Sequence, residues 1–283
     1  MFFSFLNKII SVILVPLFMF PLSPVLLVKK LIYRQQDIAS IAASGYEMIS
    51  NEVFLTAHRG ITAVAPENTL PAYEKAVELG FYSAECDIRL SKDDHWVLSH
   101  GDDLNHHFWQ VGNIGDYTLE ELKTFSYKNG CNFWQKDLRI PTLDEFLEVF
   151  EGTSTRPQIE IKEPGRYDYI YTVVDAVKAH GLEDQAIIIA FDIEHLKAAR
   201  RADPDIELWY LADGVNEDTI AAAKSVGGNV WLSCNISSAS AENIALAKSE
   251  GVGTSFWDID SVEEVVAAYN MGARYIETDN ISK

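Results

Sequence analysis

Eight short apolar runs, most of them separated by a helical pattern, limit what this sequence can fold into. The runs are Val53–Ala57, Phe81–Ile88, Gln158–Ile161, Ala186–Ala190, Ile206–Leu211, Asn229–Ser233, Val252–Phe256 and Arg274–Glu277. Repeated strand–helix alternation predicts an α/β fold with a parallel sheet. Eight repeats between residues 52 and 283 favour a closed (β/α)8 TIM-type barrel over an open doubly wound sheet. No glycine-rich dinucleotide fingerprint follows the first run, which weakens the open-sheet alternative.

One further apolar run, Trp96–Ser99, follows the second predicted strand after a short polar turn. That connection is too short for a parallel crossover, so the run is predicted to return antiparallel to the second strand. The resulting hairpin would protrude at the barrel mouth. Its return brings His100 close to Glu85 and Asp87, near the end of the second strand.

The first 51 residues are predicted to lie outside the barrel, as a hydrophobic segment and a polar linker. The uncharged run Ile9–Val28 is long enough to cross a bilayer as a helix. Three prolines interrupt this run, and no small-residue cleavage site follows it. We therefore favour an uncleaved membrane anchor over a signal peptide or an interfacial hairpin. Positive charges on the two sides of the run nearly balance, so its orientation in the membrane stays open.

The net charge of −19 argues against nucleic acid as a partner, because an acidic protein repels phosphate backbones. It is compatible with a single phosphate ester bound through a metal ion, because the ion reverses the local field. The cysteines Cys86, Cys131 and Cys234 fit neither a zinc site nor a disulfide framework, and are assigned to packing.

Acidic side chains lie at the ends of the second and third predicted strands. Glu85 and Asp87 are two residues apart and therefore share one face of a strand. Glu160 and Lys162 repeat this spacing on the next strand. Carboxylates gathered in this way repel one another unless a cation lies between them, and oxygen ligands suit Mg²⁺ or Ca²⁺. The sequence therefore predicts a site for one divalent cation.

Basic and imidazole side chains complete the candidate site. Arg59 can bind a phosphate through two hydrogen bonds, and Lys162 adds a positive charge for an anionic substrate. His58 and His100 can act as general base and general acid near neutral pH. Together with the cation, these residues predict metal-assisted cleavage of a phosphodiester. The remaining histidines are predicted to be surface residues: His95, His106, His107, His180 and His195.

Motifs in the same order along the chain resemble those of the glycerophosphodiester phosphodiesterase family. They are His58-Arg59-Gly60, Pro66-Glu67-Asn68-Thr69, Glu85-Cys86-Asp87, Lys92-Asp93-Asp94, His100, Leu119-Glu120-Glu121-Leu122, Ile140-Pro141-Thr142-Leu143, Glu160-Ile161-Lys162, Phe191-Asp192, Trp257 and Thr278-Asp279. The resemblance covers about Val53 to Lys283. It implies a barrel that hydrolyses glycerophosphodiesters to an alcohol and glycerol 3-phosphate.

The same resemblance implies a role for each candidate site residue. His58 and His100 would be the acid–base pair, and Trp257 would line the glycerol pocket. The cation would be bound by Glu85, Asp87 and Glu160, and the phosphate by Arg59 and Lys162.

Departures from the family pattern concern substrate choice rather than these residues. They are Gly101, His106, Ala190, Asp258 and Asn280. Water-soluble glycerophosphodiesters are our first prediction, and lysophospholipids hydrolysed at the membrane by a lysophospholipase D reaction are the second. A related barrel lipase of the sphingomyelinase D type and an inactive membrane-tethered binding barrel are further alternatives. The identity of the metal, the head group and the oligomeric state stay open.

Overall fold

A computed structural model of the chain describes residues 49–128, 138–279 and 281. Eight parallel strands close into a barrel in these residues, because β1 pairs with both β2 and β9. The parallel strands are β1 (Phe54–Ala57), β2 (Ser83–Leu90), β4 (Arg156–Ile161), β5 (Ile187–Ala190), β6 (Glu207–Ala212), β7 (Val230–Asn235), β8 (Gly253–Trp257) and β9 (Tyr275–Thr278). The prediction of a (β/α)8 TIM-type barrel is confirmed.

Helices cover the outside of the barrel and the segment above its mouth. They are α1 (Leu70–Glu78), α2 (Leu119–Leu122), α3 (Leu143–Glu148), α4 (Tyr171–Ala179), α5 (Ile193–Ala202), α6 (Glu217–Val226), α7 (Ala241–Ser249) and α8 (Val262–Met271). Several begin at a capping box, in which a side chain accepts the N–H of the third helical residue. Thr142, Asn216 and Ser261 do this for α3, α6 and α8.

The short strand β3 (Trp96–Leu98) is the predicted hairpin. It pairs antiparallel with the end of β2, with Ile88 opposite Leu98 and Leu90 opposite Trp96. Ser99 then donates its backbone N–H to the Asp87 carbonyl at 3.0 Å. The chain thus returns to β2 beside a predicted metal ligand immediately before His100.

The barrel interior is apolar on one side. Ile187, Ile189, Trp209 and Leu211 from β5 and β6 form a buried cluster there, against which Trp231 packs. The Trp209 and Trp231 rings stack with their centroids 5.3 Å apart. Large side chains from β5 to β8 therefore fill this half, as expected for a barrel of this size.

The opposite side of the interior is polar. Thr56 and Ser83 hydroxyl oxygens lie 2.6 Å apart, and Ser83 donates to the Gln158 side-chain oxygen at 3.3 Å. Gln158 in turn donates to Glu277 at 3.2 Å. This chain links β1, β2, β4 and β9, so these four strands satisfy one another's buried polar groups below the mouth.

A separate apolar cluster packs the mouth segment, the connection between β3 and β4 at residues 99–155, against the hairpin. Its buried members are Val97, Leu104, Phe108, Ile114, Leu122 and Ile140. Because Val97 belongs to β3, this packing ties the long connection between β3 and β4 to the strand that leads into His100. Trp96 and Leu98 of the same strand pack in the main core, so the hairpin is packed on both sides rather than extending freely into solvent.

The predicted membrane segment at residues 9–28 and most of the linker after it lie outside the described residues, as does Cys131. Within residues 49–128, 138–279 and 281, no helix is long and apolar enough to cross a membrane. Cys86 and Cys234 are buried and not disulfide-bonded, in agreement with a packing role.

We expect Gly60→Ala to be much more destabilising than Gly80→Ala. Both glycines have positive φ, 84° and 69°, but a Cβ at Gly60 would lie 2.7 Å from the Ala72 side chain and 2.9 Å from its backbone, while nothing lies within 4 Å at Gly80. Backbone strain alone predicts a loss of about 1 kcal/mol at Gly80. The added overlap at Gly60 raises the expected loss to about 3 kcal/mol. Urea denaturation of both variants measures the difference in the free energy of unfolding. Equal losses would contradict the close packing of Gly60, in the turn after β1, against Ala72 of α1.

Candidate active site

Three buried carboxylates converge at the mouth of the barrel. The parallel register places Asp87 of β2 opposite Glu160 of β4, and Glu85 precedes Asp87 on the same face. The exposed fractions of Glu85, Asp87 and Glu160 are 1%, 0% and 7%. One ligand atom from each lies within 4.8 Å of the other two. The sequence-predicted ligands are thus brought together as a candidate metal centre.

The electrostatics of this cluster favour a cation. Burial raises the pKa of Glu85 well above its usual range, and the neighbouring charge of Asp87 adds to this. Burial and Asp87 also raise the pKa of Glu160 to about 7, against the opposing effect of Lys162. One Glu85 oxygen accepts the Arg59 backbone N–H at 3.0 Å, while Oε1 has no hydrogen-bond partner in the described structure. An orphaned buried oxygen among hard oxygen donors fits a divalent cation.

Arg59 and Lys162 approach Asp87 from two sides. Arg59 Nε lies 3.3 Å from Asp87 Oδ2, and Lys162 Nζ lies 3.5 Å from Asp87 Oδ1. Lys162 Nζ also lies 2.6 Å from Glu160 Oε1. Both cationic side chains line the mouth cavity, so the carboxylates hold two positive charges where an anion could enter.

His58 lies between two acidic side chains. One is Glu277 of β9, and the other is Asp279, just after the end of that strand. Its Nδ1 is 2.9 Å from Asp279 Oδ1, and its Nε2 is 3.8 Å from Glu277 Oε1. Burial lowers the pKa of His58, but the hydrogen bond to Asp279 and the charges of Glu277 and Glu85 outweigh it and raise this pKa to about 10. Asp279 therefore fixes the ring orientation and favours its charged form.

His100 has the opposite electrostatic environment. Burial lowers its pKa to about 4, and Arg59 and Lys162 contribute in the same direction against Asp87. Its backbone carbonyl accepts hydrogen bonds from Arg89 Nε and Nη2 at 3.2 and 3.0 Å. The neutral imidazole of His100 and the charged imidazole of His58 therefore line the same cavity. A neutral and a charged imidazole in one cavity suit acid–base chemistry.

A single cavity joins the predicted residues. Its lining includes His58, Arg59, His100, Glu160, Lys162 and Trp257, and Glu85 and Asp87 are buried in the same region of the barrel mouth. Ile189, Phe191, Leu211 and Trp257 give the same cavity an apolar part of its lining. The structure therefore gathers all the sequence-predicted site residues around one opening.

Four further residues support this site, and the sequence analysis gave none of them a role. Asn68 donates to Asp87 Oδ2 at 2.8 Å and accepts the Asp87 N–H at 3.1 Å. Glu67 binds Arg59 Nη1 at 3.0 Å, and Asp279 orients His58. Asn68, Glu67 and Asp279 lie in motifs shared with the family, and this was the only sequence feature that pointed to a role for them. Glu277 lies outside those motifs, and only its position at the end of the last predicted strand pointed to the mouth.

Of the histidines predicted to be on the surface, His107 is half-buried beside the site and His195 is buried. His107 Nε2 lies 2.9 Å from Glu67 Oε1, so it helps hold the side chain that binds Arg59. His195 is 2% exposed, and its Nε2 lies 2.6 Å from the Gly165 carbonyl oxygen. The partners of both rings are distant in sequence, and a pattern of neighbouring residues does not carry that information.

Comparison with known proteins gives the same assignment over most of the chain. The model of the glycerophosphoryl diester phosphodiesterase family matches residues 58–283. A protein of Caldanaerobacter subterraneus named glycerophosphodiester phosphodiesterase is 32% identical over 167 residues, which are 56% of this chain and 67% of that protein. A human protein named lysophospholipase D is 33% identical over 110 residues, 37% of this chain and 35% of that protein.

Solved structures share the fold. An Oleispira antarctica phosphodiesterase in complex with the product sn-glycerol-3-phosphate has a TM-score of 0.75 and 24% identity, covering 80% of this chain and 92% of that one. A glycerophosphodiester phosphodiesterase from Parabacteroides distasonis has a TM-score of 0.68 and 24% identity, covering 81% and 93%. The family match, which agrees with the ordered motifs, shows that the chain belongs to the glycerophosphoryl diester phosphodiesterase family of enzymes.

Proposed function

We propose that this protein hydrolyses water-soluble glycerophosphodiesters to an alcohol and glycerol 3-phosphate with the help of one divalent cation, Mg²⁺ or Ca²⁺. The observation that carries the proposal is that the two basic side chains and the two histidines line one cavity with Glu160, which belongs to the buried cluster of three carboxylates. The names of the relatives support the substrate class.

Glu85, Asp87 and Glu160 would hold the cation. When bound there, a divalent cation would offset their mutual repulsion and polarise a phosphoryl oxygen. Asn68 would keep the Asp87 carboxylate in place through its two hydrogen bonds.

Arg59 and Lys162 would bind the phosphate. Arg59 is positioned by Glu67 and Asp87, and its planar guanidinium can donate two hydrogen bonds to one phosphodiester. Lys162 would contribute a compact charge from the β4 side of the cavity. The two side chains approach from different strands, so a bound phosphodiester would be held in one orientation relative to the histidines.

His58 and His100 would move the protons. One imidazole would take a proton from the attacking water as its oxygen bonds to phosphorus. The other would give a proton to the alcohol oxygen as its bond to phosphorus breaks. The hydrogen bond from Asp279 would hold the His58 ring in one orientation throughout. Trp257 would line the wall that receives an organic substituent of the phosphate.

Hydrolysis of lysophospholipids is the second candidate function. The human relative named lysophospholipase D favours it, as does the apolar run at residues 9–28, which we propose anchors the protein to a membrane. An inactive binding barrel is disfavoured, because every residue that the mechanism needs is present around the cavity.

The test of the proposed function is release of glycerol 3-phosphate by the purified full-length protein. We expect hydrolysis of glycerophosphocholine in the presence of Mg²⁺ or Ca²⁺, and none with excess chelator. Lysophosphatidylcholine assayed in parallel, with release of lysophosphatidic acid as its readout, separates the two candidate functions. Failure to hydrolyse either compound with any divalent cation would contradict the proposal.

We expect His58→Ala and His100→Ala each to lower kcat by about 100-fold or more, because each would remove a proton-transfer group. His95→Ala is the control, since this side chain is 56% exposed at the hairpin turn and lies outside the cavity. Steady-state kinetics with glycerophosphocholine measures the effect. A fully active His58→Ala/His100→Ala double variant would rule out the acid–base pair.

Glu85→Gln is expected to have opposite effects on stability with and without the cation. Without a divalent cation it removes a source of repulsion, so the free energy of unfolding should stay equal or rise. With the cation, the wild type should gain stability by mass action and the variant should gain much less. Glu207→Gln is the control, because Glu207 pairs with Arg156 at the other end of the barrel. Thermal unfolding with and without Mg²⁺ or Ca²⁺ measures this, and an equal cation-dependent shift in Tm in the wild type and Glu85→Gln would contradict the ligand assignment.

A further inference from the structure

A second group of possible metal ligands lies beside the barrel mouth, separate from the three buried carboxylates. One nitrogen from each of the His106 and His107 rings and one oxygen of Glu67 lie within 4.8 Å of one another. In the described structure the mouth cavity is lined by Arg59 but by none of these three residues. Neither histidine therefore has a part in the proposed hydrolysis beyond the contact of His107 with Glu67.

The turn that carries both histidines is fixed by its backbone. The His106 N–H donates to the Asp103 carbonyl at 3.2 Å, and the His107 carbonyl accepts the Lys128 N–H at 2.7 Å. Phe108, the next residue, is buried in the apolar cluster of the mouth segment. The two imidazole rings are 77° from parallel, with their centroids 4.3 Å apart. The backbone thus holds the two rings next to each other before any ion binds.

Glu67 provides a carboxylate with one oxygen on each side. Burial raises the pKa of Glu67, but the hydrogen bond with His107 and the charge of Arg59 outweigh it and lower this pKa to about 2. Oε1 lies 2.9 Å from His107 Nε2, and Oε2 accepts a hydrogen bond of 3.0 Å from Arg59 Nη1. Oε1 can therefore bind an ion on the histidine side while Oε2 faces Arg59.

The donor atoms of this group suit a transition metal ion. Two imidazole nitrogens and one carboxylate oxygen are typical ligands of Zn²⁺, whereas Mg²⁺ and Ca²⁺ take oxygen ligands. A tetrahedral zinc ion with bonds of about 2.0–2.1 Å brings its ligands to about 3.3 Å from one another. Small side-chain rotations reach that spacing, and His106 can make them because it is exposed. Three protein ligands leave the fourth position to water.

We propose that Glu67, His106 and His107 bind one Zn²⁺ ion in a site separate from the carboxylate cluster, and that this ion loosens Arg59. An ion on Oε1 offsets the negative charge of Glu67, so the pair between Glu67 and Arg59 weakens. Arg59 Nε keeps its contact of 3.3 Å with Asp87 Oδ2, so the guanidinium is loosened rather than released. This coupling rests on the proposed function, in which Arg59 binds the phosphate, and predicts that Zn²⁺ raises KM.

The rival interpretation is that His107 serves only as a hydrogen-bond partner of Glu67 and that His106 has no role. Under that interpretation, removal of the His106 ring changes neither metal binding nor the response to Zn²⁺. His106→Ala leaves the contact between His107 and Glu67 in place, so it separates the two interpretations.

The experiment titrates the full-length protein with Co²⁺, a spectroscopic substitute for Zn²⁺, in excess Ca²⁺ that competes for the carboxylate cluster. We expect the visible absorption of Co²⁺ bound to nitrogen and oxygen ligands, and its loss when Zn²⁺ displaces the Co²⁺. His106→Ala should raise the Kd of this site by about 100-fold, because loss of even an outer partner of a metal site costs about 10–100-fold in affinity.

His95→Ala is the matched control. His95 is also an exposed histidine beside a carboxylate, with its Nε2 3.9 Å from Asp93 Oδ2, but it has no histidine next to it in the sequence. This variant should bind Co²⁺ as the wild type does. Equal binding by the wild type and His106→Ala, or a wild type without Zn²⁺-displaceable absorption, would overturn the zinc site.

Kinetics with glycerophosphocholine test the coupling to Arg59. With Mg²⁺ or Ca²⁺ in excess, saturating Zn²⁺ should raise KM of the wild type about two- to fivefold, the size of one partly exposed ion pair. His106→Ala should have the wild-type KM without Zn²⁺ and lose most of this response. An unchanged KM in the wild type, or an equal rise in His106→Ala, would overturn the coupling. If the protein hydrolysed no diester, the proposed function would fail, and the Co²⁺ titration would still decide the zinc site.

Discussion

Repulsion among buried carboxylates is the interaction on which the rest of this site depends. Glu85, Asp87 and Glu160 are almost fully removed from water, and burial raises the pKa of Glu85 and Glu160. Charges in such a place need opposite charges or hydrogen bonds to remain ionised. Asn68, Arg59 and Lys162 supply some of both around Asp87. The Glu85 oxygen without a hydrogen-bond partner in the described structure fits the divalent cation proposed for the cluster.

The barrel interior has an apolar side and a polar side, and the polar side provides hydrogen-bond partners for buried polar groups near the carboxylates. Strands β5 to β8 supply large apolar side chains, which make the scaffold stable without polar partners. Strands β1, β2, β4 and β9 supply the polar chain that runs from Thr56 to Glu277. The acidic cluster lies at the mouth end of the polar side, where β2 and β4 pair. The hairpin and the mouth segment then add His100 from above.

Much of this arrangement could be predicted from the sequence. The eight apolar runs that alternate with helical patterns predicted the barrel. The short turn before Trp96 predicted the hairpin, and with it the position of His100. Two-residue spacing placed Glu85 with Asp87 on one face. Glu277 was missed because its role depends on the register between β9 and β1, which brings it beside His58 and is set by closure of the barrel. The burial of His195 and the contact of His107 with Glu67 were missed for the related reason that their partners are distant in sequence.

The histidines differ in charge because of what surrounds each ring. Asp279 and Glu277 favour the charged form of His58, while burial beside Arg59 and Lys162 favours the neutral form of His100. Glu85 adds to the first effect and Asp87 opposes the second, so a cation bound by these carboxylates would influence the charge of both rings. The most direct measurement is anomalous diffraction from a crystal of the protein grown with Mn²⁺ or Ca²⁺. We predict one peak within about 2.0–2.6 Å of oxygens from Glu85, Asp87 and Glu160. Absence of such a peak at saturating cation, with the carboxylate charges balanced only by Arg59 and Lys162, would contradict the assignment of Glu85, Asp87 and Glu160 as metal ligands.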